Sequence, residues 1–135
     1  MESARILIVD DDAMLAEQLR GILGLLGHFP VCCQDAAKAL SLVDEEPFDL
    51  VFCDYWMPGA SGQEFYHQVR QKRPDLASRI VFLTAGVLGE ETQFFLQSTG
   101  ALQLLKPFKL AAVKQVMAAA FADCPSAEAP AAADP

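Results

Sequence analysis

One stretch decides the fold: Leu50-Val51-Phe52-Cys53-Asp54-Tyr55-Trp56-Met57-Pro58-Gly59. An apolar run from Leu50 to Cys53 leads to one carboxylate, Asp54, and then stops at a Pro-Gly turn. A continuous apolar run of this length is typical of a strand buried inside a parallel sheet. Because open α/β sheets bind ligands at the carboxyl ends of their strands, Asp54 is either a helix cap or a site residue. The stretch alone favours neither role.

The rest of the chain repeats this strand pattern and alternates it with helices. Short apolar runs predict four more strands, at 5–9, 29–33, 80–83 and 102–105. Apolar residues at helical spacing predict five helices, over 13–26, 36–44, 61–72, 90–98 and 110–121. Asp12 and Asp35 are placed to cap the first two helices, and Ser61-Gly62-Gln63-Glu64 matches a capping box for the third. This alternation predicts a doubly wound parallel sheet that is covered on both faces.

Length and composition bound the class of protein. We expect one domain over 4–122, followed by an Ala/Pro-rich tail or linker over 123–135. No run approaches the roughly 18 apolar residues of a membrane span. The N-terminus also lacks the apolar core of a signal peptide, so a cytoplasmic location is expected. The net charge of -8 argues against contact of this domain with nucleic acid or with an anionic membrane.

Four of the five predicted strands end in polar side chains. These are Asp10 and Asp11, Asp54, Thr84 and Lys106, after the first, third, fourth and fifth strands respectively. Because the carboxyl ends of parallel strands share one edge, the three carboxylates would repel one another, and Mg²⁺ would hold them ionised. The ammonium and the hydroxyl could then hold an anion beside the metal. This is a set for phosphoryl transfer, in which a carboxylate can accept the phosphoryl group as an acyl phosphate.

Four segments together resemble the receiver domain of response regulators. They are Asp10-Asp11, Asp54-Tyr55-Trp56-Met57-Pro58, Thr84-Ala85 and Lys106-Pro107-Phe108. Their order and spacing match over residues 4 to 121, and although each segment alone is a weak signal, the set in register is specific. The resemblance implies a flavodoxin-like (βα)5 fold with strand order 2-1-3-4-5. It also implies a phosphoacceptor of a two-component phosphorelay.

The resemblance implies a metal site and a phosphorylation site. Asp54 would be phosphorylated by a sensor histidine kinase or a phosphotransfer protein. Asp11, Asp54 and the backbone carbonyl of Trp56 would ligate Mg²⁺, for which Mn²⁺ is a plausible substitute, and Asp10 would act mainly through water. The Trp56 side chain is expected at the rim of the site.

The resemblance also implies how the phosphoryl group is held. Lys106, expected to precede a cis Pro107, would pair with the phosphoryl group. Thr84 would donate a hydrogen bond to it, with help from the Ala85 amide, and would move on activation. Such a domain phosphorylates and dephosphorylates itself but is not an enzyme for an external substrate.

Gln103 departs from the family pattern. Many receivers carry Tyr or Phe three residues before the lysine, where the aromatic ring turns inward on phosphorylation, and here that position is Gln103. We therefore expect Thr84 to signal without an aromatic switch, through the face formed by 90–98, 102–105 and the last helix. Receivers use this face for downstream proteins and for homodimers.

Two origins of the domain remain open. Phe82-Leu83-Thr84-Ala85-Gly86 and Gln97-Ser98-Thr99-Gly100 are similar to receivers at the C-termini of hybrid sensor histidine kinases. A stand-alone receiver fits equally well.

Several residues receive structural interpretations. The doublet Phe94-Phe95 is expected to supply one core and one interface side chain. His28 and His67 are expected at the surface or its boundary, and the cysteines, including Cys32, as small buried thiols.

Two alternative functions compete with the receiver. In a haloacid-dehalogenase-type phosphatase, Asp10 would be the nucleophile, but Asp54 would be idle and no late acidic pair follows Lys106. A degenerate receiver would be a binding module that is never phosphorylated.

Overall fold

Five parallel strands form the central sheet of the computed structural model, which describes residues 3–57, 60–86 and 88–122. The strands are β1 (Arg5–Val9), β2 (Phe29–Cys33), β3 (Leu50–Asp54), β4 (Ile80–Thr84) and β5 (Leu102–Leu105). They lie in the order 2-1-3-4-5, and every neighbouring pair is parallel. The predicted flavodoxin-like topology is confirmed.

Five helices connect the strands and cover the sheet. They are α1 (Ala13–Leu25), α2 (Ala36–Glu45), α3 (Gly62–Lys72), α4 (Glu90–Thr99) and α5 (Leu110–Ala120). The predicted caps of Asp12, Asp35 and Ser61 are all present, and Glu64 closes the capping box. None of the helices in the described ranges is long and apolar enough to cross a membrane.

The two faces of the sheet carry separate cores because side chains alternate along each strand. In β3, Val51 and Cys53 point to the core beneath α2, α3 and α4, whereas Leu50 and Phe52 point to the core beneath α1 and α5. All residues of β3 and β4 are buried. These two central strands therefore form a fixed base for whatever lies at their ends.

The structure adds two short elements that the sequence did not predict. Trp56–Met57 pairs antiparallel with Ala60–Ser61 just before α3, and Pro74–Ala77 forms a short helical turn after it. The predicted tail, 123–135, lies outside the described residues.

Two structural expectations were wrong. His28 is buried rather than at the surface, because its Nδ1 accepts a hydrogen bond from the backbone N–H of Ala4 at 3.0 Å and so ties the chain start to β2. Burial accordingly lowers the pKa of His28. Cys32 is exposed, because β2 is an edge strand of the sheet. Cys33 and Cys53 are buried thiols, as predicted.

Gly62 provides a test of the packing between α3 and β4. A Cβ atom at this buried position would lie 2.8 Å from Cε1 of Phe82 and 2.9 Å from Cδ1 of Tyr55. Since both rings are buried, we expect Gly62→Ala to lower the free energy of unfolding by about 1–3 kcal/mol. Urea denaturation measures the change.

Gly21→Ala is the matched control. Gly21 lies inside α1, and a Cβ atom there would meet nothing within 4 Å. This change should raise stability by about 0.5–1 kcal/mol through helix propensity. Equal effects of the two substitutions would contradict the packing described here.

Candidate functional site

The ends of four strands bring the predicted site residues to one edge of the sheet. Asp10 directly follows β1, and the β1–β3 register of Val9 with Cys53 sets it beside Asp54. Thr84 ends β4, and its carbonyl accepts a hydrogen bond from the backbone N–H of Lys106 at 2.8 Å. The backbone therefore fixes the relative positions of the acids, the hydroxyl and the lysine.

Three carboxylates form a cluster at this edge. Asp10, Asp11 and Asp54 each offer an oxygen atom, and these atoms all lie within 4.8 Å of one another. Asp10 is fully buried and Asp54 nearly so, whereas Asp11 is exposed. The cluster therefore has one wall inside the protein and one open to solvent.

Lys106 lies opposite the acids and bridges two of them. Its Nζ is 3.1 Å from Oδ2 of Asp10 and 3.5 Å from Oδ1 of Asp54. The lysine side chain is only 14% exposed, so its charge acts on the acids with little screening by water. The predicted meeting of strand-end acids with the ammonium of Lys106 is confirmed.

Asp10 is held firmly but incompletely satisfied. Its Oδ1 accepts a hydrogen bond from the backbone N–H of Asp12 at 2.9 Å. Its Oδ2 has no hydrogen-bond partner in the described parts of the chain, because the contact with Lys106 is close but not aligned as a hydrogen bond. A buried carboxylate oxygen in this state has a coordination position to spare.

The cluster fits a hard divalent cation. Mg²⁺ takes oxygen ligands and keeps several of its waters, so a cluster of carboxylates that is open to solvent on one side suits it. The unsatisfied Oδ2 of Asp10 offers a buried acceptor for a bound water. Mg²⁺ thus matches both the ligand type and the half-open shape.

Burial and charge disturb the titration of Asp54. Burial raises its pKa to about 6, and repulsion from Asp10 adds to the rise. Lys106 and the backbone N–H of Trp56, which donates to Oδ1 at 3.4 Å, act in the opposite direction. Without a cation, Asp54 is therefore partly protonated in mildly acidic solution, although only the carboxylate is a nucleophile.

The remaining predicted residues surround this centre. Thr84 is 6% exposed, at the end of β4, and Ala85 follows it in an exposed position. The Trp56 side chain is 66% exposed, which confirms its expected place at the rim. The role of the Trp56 carbonyl as a metal ligand stays a prediction. Gln103 is exposed on the edge strand β5, in register with Phe82, two residues short of Thr84.

Two supporting features escaped sequence reasoning. The backbone N–H of Asp12 orients Asp10, in addition to the role of Asp12 as the cap of α1. The only signal for this second role in the sequence was the run of three aspartates. Tyr55, directly after Asp54, is buried with its ring 5.5 Å from that of Phe82 and 6.0 Å from that of Phe95. The residue after the phosphoacceptor candidate thus packs against α4, which no local pattern predicts.

Replacing Asp54 with Asn should stabilise the metal-free protein above pH 6. Because the folded-state pKa of Asp54 is raised from 3.8 to about 6, ionisation destabilises the wild-type fold as pH rises through that interval. The variant lacks this penalty, so we expect a gain on the order of 1 kcal/mol at pH 8 in EDTA. The gain should disappear below pH 4, where the carboxyl group is protonated in both the folded and unfolded states. Thermal denaturation across pH measures it.

Magnesium should reduce the difference in stability between the wild-type protein and Asp54→Asn. A cation that binds the folded wild-type chain stabilises it by mass action, and the variant has lost one carboxylate ligand. A wild-type protein as stable as the variant at pH 8 in EDTA would contradict the repulsion described above.

Comparison with known proteins places the chain in a family. Residues 6–118 match the model of the response regulator receiver domain. The chain is 32% identical over 116 residues to the response regulator protein FleR of Pseudomonas aeruginosa, with 86% of this chain and 24% of that protein covered. It is 34% identical over 113 residues to the sensor histidine kinase RcsC of Salmonella typhi, with 84% of this chain and 12% of that protein covered. The chain thus spans a quarter or less of the length of these two relatives.

A solved structure agrees with the sequence matches. The response regulator TrrA of Thermotoga maritima, in complex with Mg²⁺ and BeF, has a TM-score of 0.74 and 30% identity. The alignment covers 89% of this chain and 99% of that chain. The chain belongs to the receiver domains of response regulators, the phosphorelay signalling modules of two-component systems.

Proposed function

We propose that Asp54 accepts a phosphoryl group, in a reaction that depends on Mg²⁺, from a histidine of a sensor kinase or a phosphotransfer protein. The observation that carries the proposal is the cluster of three carboxylates with the ammonium of Lys106 opposite two of them. Of the three acids, Asp54 combines partial access to solvent with contact to Lys106. Family membership supports the coarser role of a phosphoacceptor in two-component signalling.

The metal would be held by the exposed side of the cluster. We assign Asp11, Asp54 and the Trp56 carbonyl as protein ligands of Mg²⁺ or Mn²⁺, with Asp10 acting through a bound water. The exposure of Asp11 and the spare acceptor on Asp10 support this division. When bound, the dication neutralises negative charge on the transferring phosphoryl group.

In the transfer step, one carboxylate oxygen of Asp54 attacks the phosphorus atom of a phosphohistidine. A P–O bond forms, the P–N bond breaks, and the imidazole leaves with its electron pair. Asp54 must be ionised to attack, and Lys106 favours this form because its ammonium lies 3.5 Å from Oδ1. Water later attacks the acyl phosphate and releases inorganic phosphate, which resets the domain.

Lys106 and Thr84 would hold the product. The Lys106 ammonium, which contacts both Asp10 and Asp54, would pair with phosphoryl oxygens. The Thr84 hydroxyl and the Ala85 amide would donate hydrogen bonds to the same oxygens. The hydrogen bond from the N–H of Lys106 to the carbonyl of Thr84 couples the two phosphate-binding residues. A shift of Thr84 would therefore move the backbone at the end of β5.

The output would leave through the face of α4, β5 and α5. Leu105 and Leu110 expose 57% and 49% of their surface there, and Gln103 lies between the two helices on the same edge strand. Exposed apolar side chains that lie close together on one face are suited to contact with a downstream protein. Since Gln103 is not aromatic, the signal at this face would be a backbone shift and not the turn of a ring.

The phosphatase alternative loses support from the state of Asp10. Its carboxylate is fully buried, with Oδ1 bound to the N–H of Asp12 and Oδ2 facing Lys106. An external phosphate ester could not reach it without rearrangement of the site. The other alternative is a degenerate receiver that is never phosphorylated. A labelling experiment distinguishes it from a working phosphoacceptor.

Labelling with a small phosphodonor tests the phosphoacceptor. Incubation with acetyl phosphate and Mg²⁺ should add one phosphoryl group. Mass spectrometry should locate it at Asp54, because that carboxylate combines partial access to solvent with contact to Lys106. The Asp54→Asn variant should be folded but should not be labelled. Asp44→Asn, an exposed acid paired with Lys72 far from the edge, should label normally.

The possible outcomes separate the three functions. Label at Asp54 supports the receiver, label at Asp10 supports the phosphatase, and no label supports the binding module.

Removing the Lys106 ammonium should slow phosphorylation. Lys106→Ala deletes the charge that favours the Asp54 carboxylate and that would pair with the phosphoryl oxygens. We expect the rate of acyl phosphate formation to fall by about 100-fold. Lys72→Ala removes a surface lysine and should leave the rate unchanged. A Lys106→Ala protein that is folded and labels at the wild-type rate would exclude this role.

A further inference from the structure

A groove on the side of the molecule is not used by the chemistry described above. It lies between α3 and α4 and has a volume of about 610 Å³. Its walls include Tyr66, His67 and Arg70 from α3, and Glu90, Glu91 and Phe94 from α4. It is distinct from the face of α4, β5 and α5 because it opens on the other flank of α4.

Phe94 is the exposed apolar side chain of this groove. It is 72% exposed, whereas the next residue, Phe95, is 5% exposed and lies against Tyr66 with ring centroids 5.4 Å apart. Phe95 thus anchors α4 on α3 and leaves Phe94 turned outward. A phenylalanine left in water forgoes the free energy of burying its ring. In a concave groove, that free energy is available to a partner.

The two ends of the groove carry opposite charge. Both helices start at the carboxyl edge of the parallel sheet, so they run in the same direction. Glu90 and Glu91 stand in the first turn of α4, and Arg70 in the last turn of α3. The helix dipoles favour these charges, but they do not account for an exposed phenylalanine between them. Over the described residues, Arg70 and both glutamates form no ion pair.

We propose that this groove binds a second copy of the chain about a two-fold axis. A two-fold axis perpendicular to the groove reverses its ends, so Glu90 and Glu91 would meet the partner's Arg70, and the reverse contact forms as well. The two Phe94 side chains would pack together at the centre. A surface with opposite charges at its ends and an apolar middle is complementary to itself in this arrangement. The proposal does not depend on phosphorylation.

Sedimentation equilibrium of the full chain tests the proposal. Over roughly 1 to 500 µM, we expect a reversible dimer, weak because the groove is small. Phe94→Ser should raise the dissociation constant at least 10-fold, since it removes the central contact. The control is Leu105→Ser, which removes another exposed apolar side chain, from β5, and should leave the dimer intact.

Charge reversal tests whether the charged ends of the groove hold the two copies together. Arg70→Glu makes both ends of the groove acidic, and the double variant Glu90→Arg/Glu91→Arg makes both ends basic, so neither protein should form a homodimer. Mixed together, the two variants should form a heterodimer, because each end then meets an opposite charge. Lys38→Glu changes the net charge as much as Arg70→Glu but outside the groove, and should still dimerise.

Each remaining outcome overturns the proposal. A wild-type chain that is monomeric throughout the range would exclude a second copy as the occupant of the groove. Dissociation by Leu105→Ser but not by Phe94→Ser would place the contact on the face of α4, β5 and α5. Failure of the two charge variants to associate would exclude the two-fold arrangement. Circular dichroism confirms that each variant is folded.

Discussion

Repulsion between carboxylates that the sheet holds close together determines the properties of the site. Asp10, Asp11 and Asp54 bring three negative charges into one small volume, against the single positive charge of Lys106. Two carboxylates about 5 Å apart repel by about 3 kcal/mol at the effective dielectric constant of a protein surface. The raised pKa of Asp54 is the local expression of this excess charge. A site in this state gains most from a cation or from loss of a charge, and both belong to the proposed chemistry.

The fold sustains this arrangement because its centre cannot relax. β3 and β4 are buried along their whole length, between cores on both faces of the sheet. The hydrogen bond from the N–H of Lys106 to the carbonyl of Thr84 sets the lysine relative to the end of β4. Asp10 is fixed in turn by the N–H of Asp12. The core thus supplies the stability that holds unfavourable charges at fixed distances.

Much of this could be predicted from the sequence because the deciding signals are local. The apolar run before Asp54 and the helical spacing after Asp12 specify strand and helix directly, and parallel strands must end at one edge. What escaped prediction depends on contacts distant in sequence. The burial of His28 depends on the N–H of Ala4, and the exposure of Cys32 depends on β2 being an edge strand.

The same distinction applies to the site and to the surface. The types of the residues at the strand ends predicted that the acids and the lysine belong to the site. The bridging position of Lys106 and the unequal exposure of Asp10 and Asp11 are visible only in the structure. The doublet Phe94-Phe95 was expected to divide between core and interface, and the burial of Phe95 confirms the first half. The interface role of Phe94 stays a prediction, since no pattern in one chain specifies its partner.

The central claim is that acids from β1 and β3 surround one metal ion opposite Lys106. Anomalous diffraction from crystals soaked in Mn²⁺ tests it most directly. We expect a single strong peak bonded to Asp11, Asp54 and the Trp56 carbonyl, with a water between the ion and Asp10. A peak elsewhere on the molecule, or none at a saturating concentration of Mn²⁺, would contradict it.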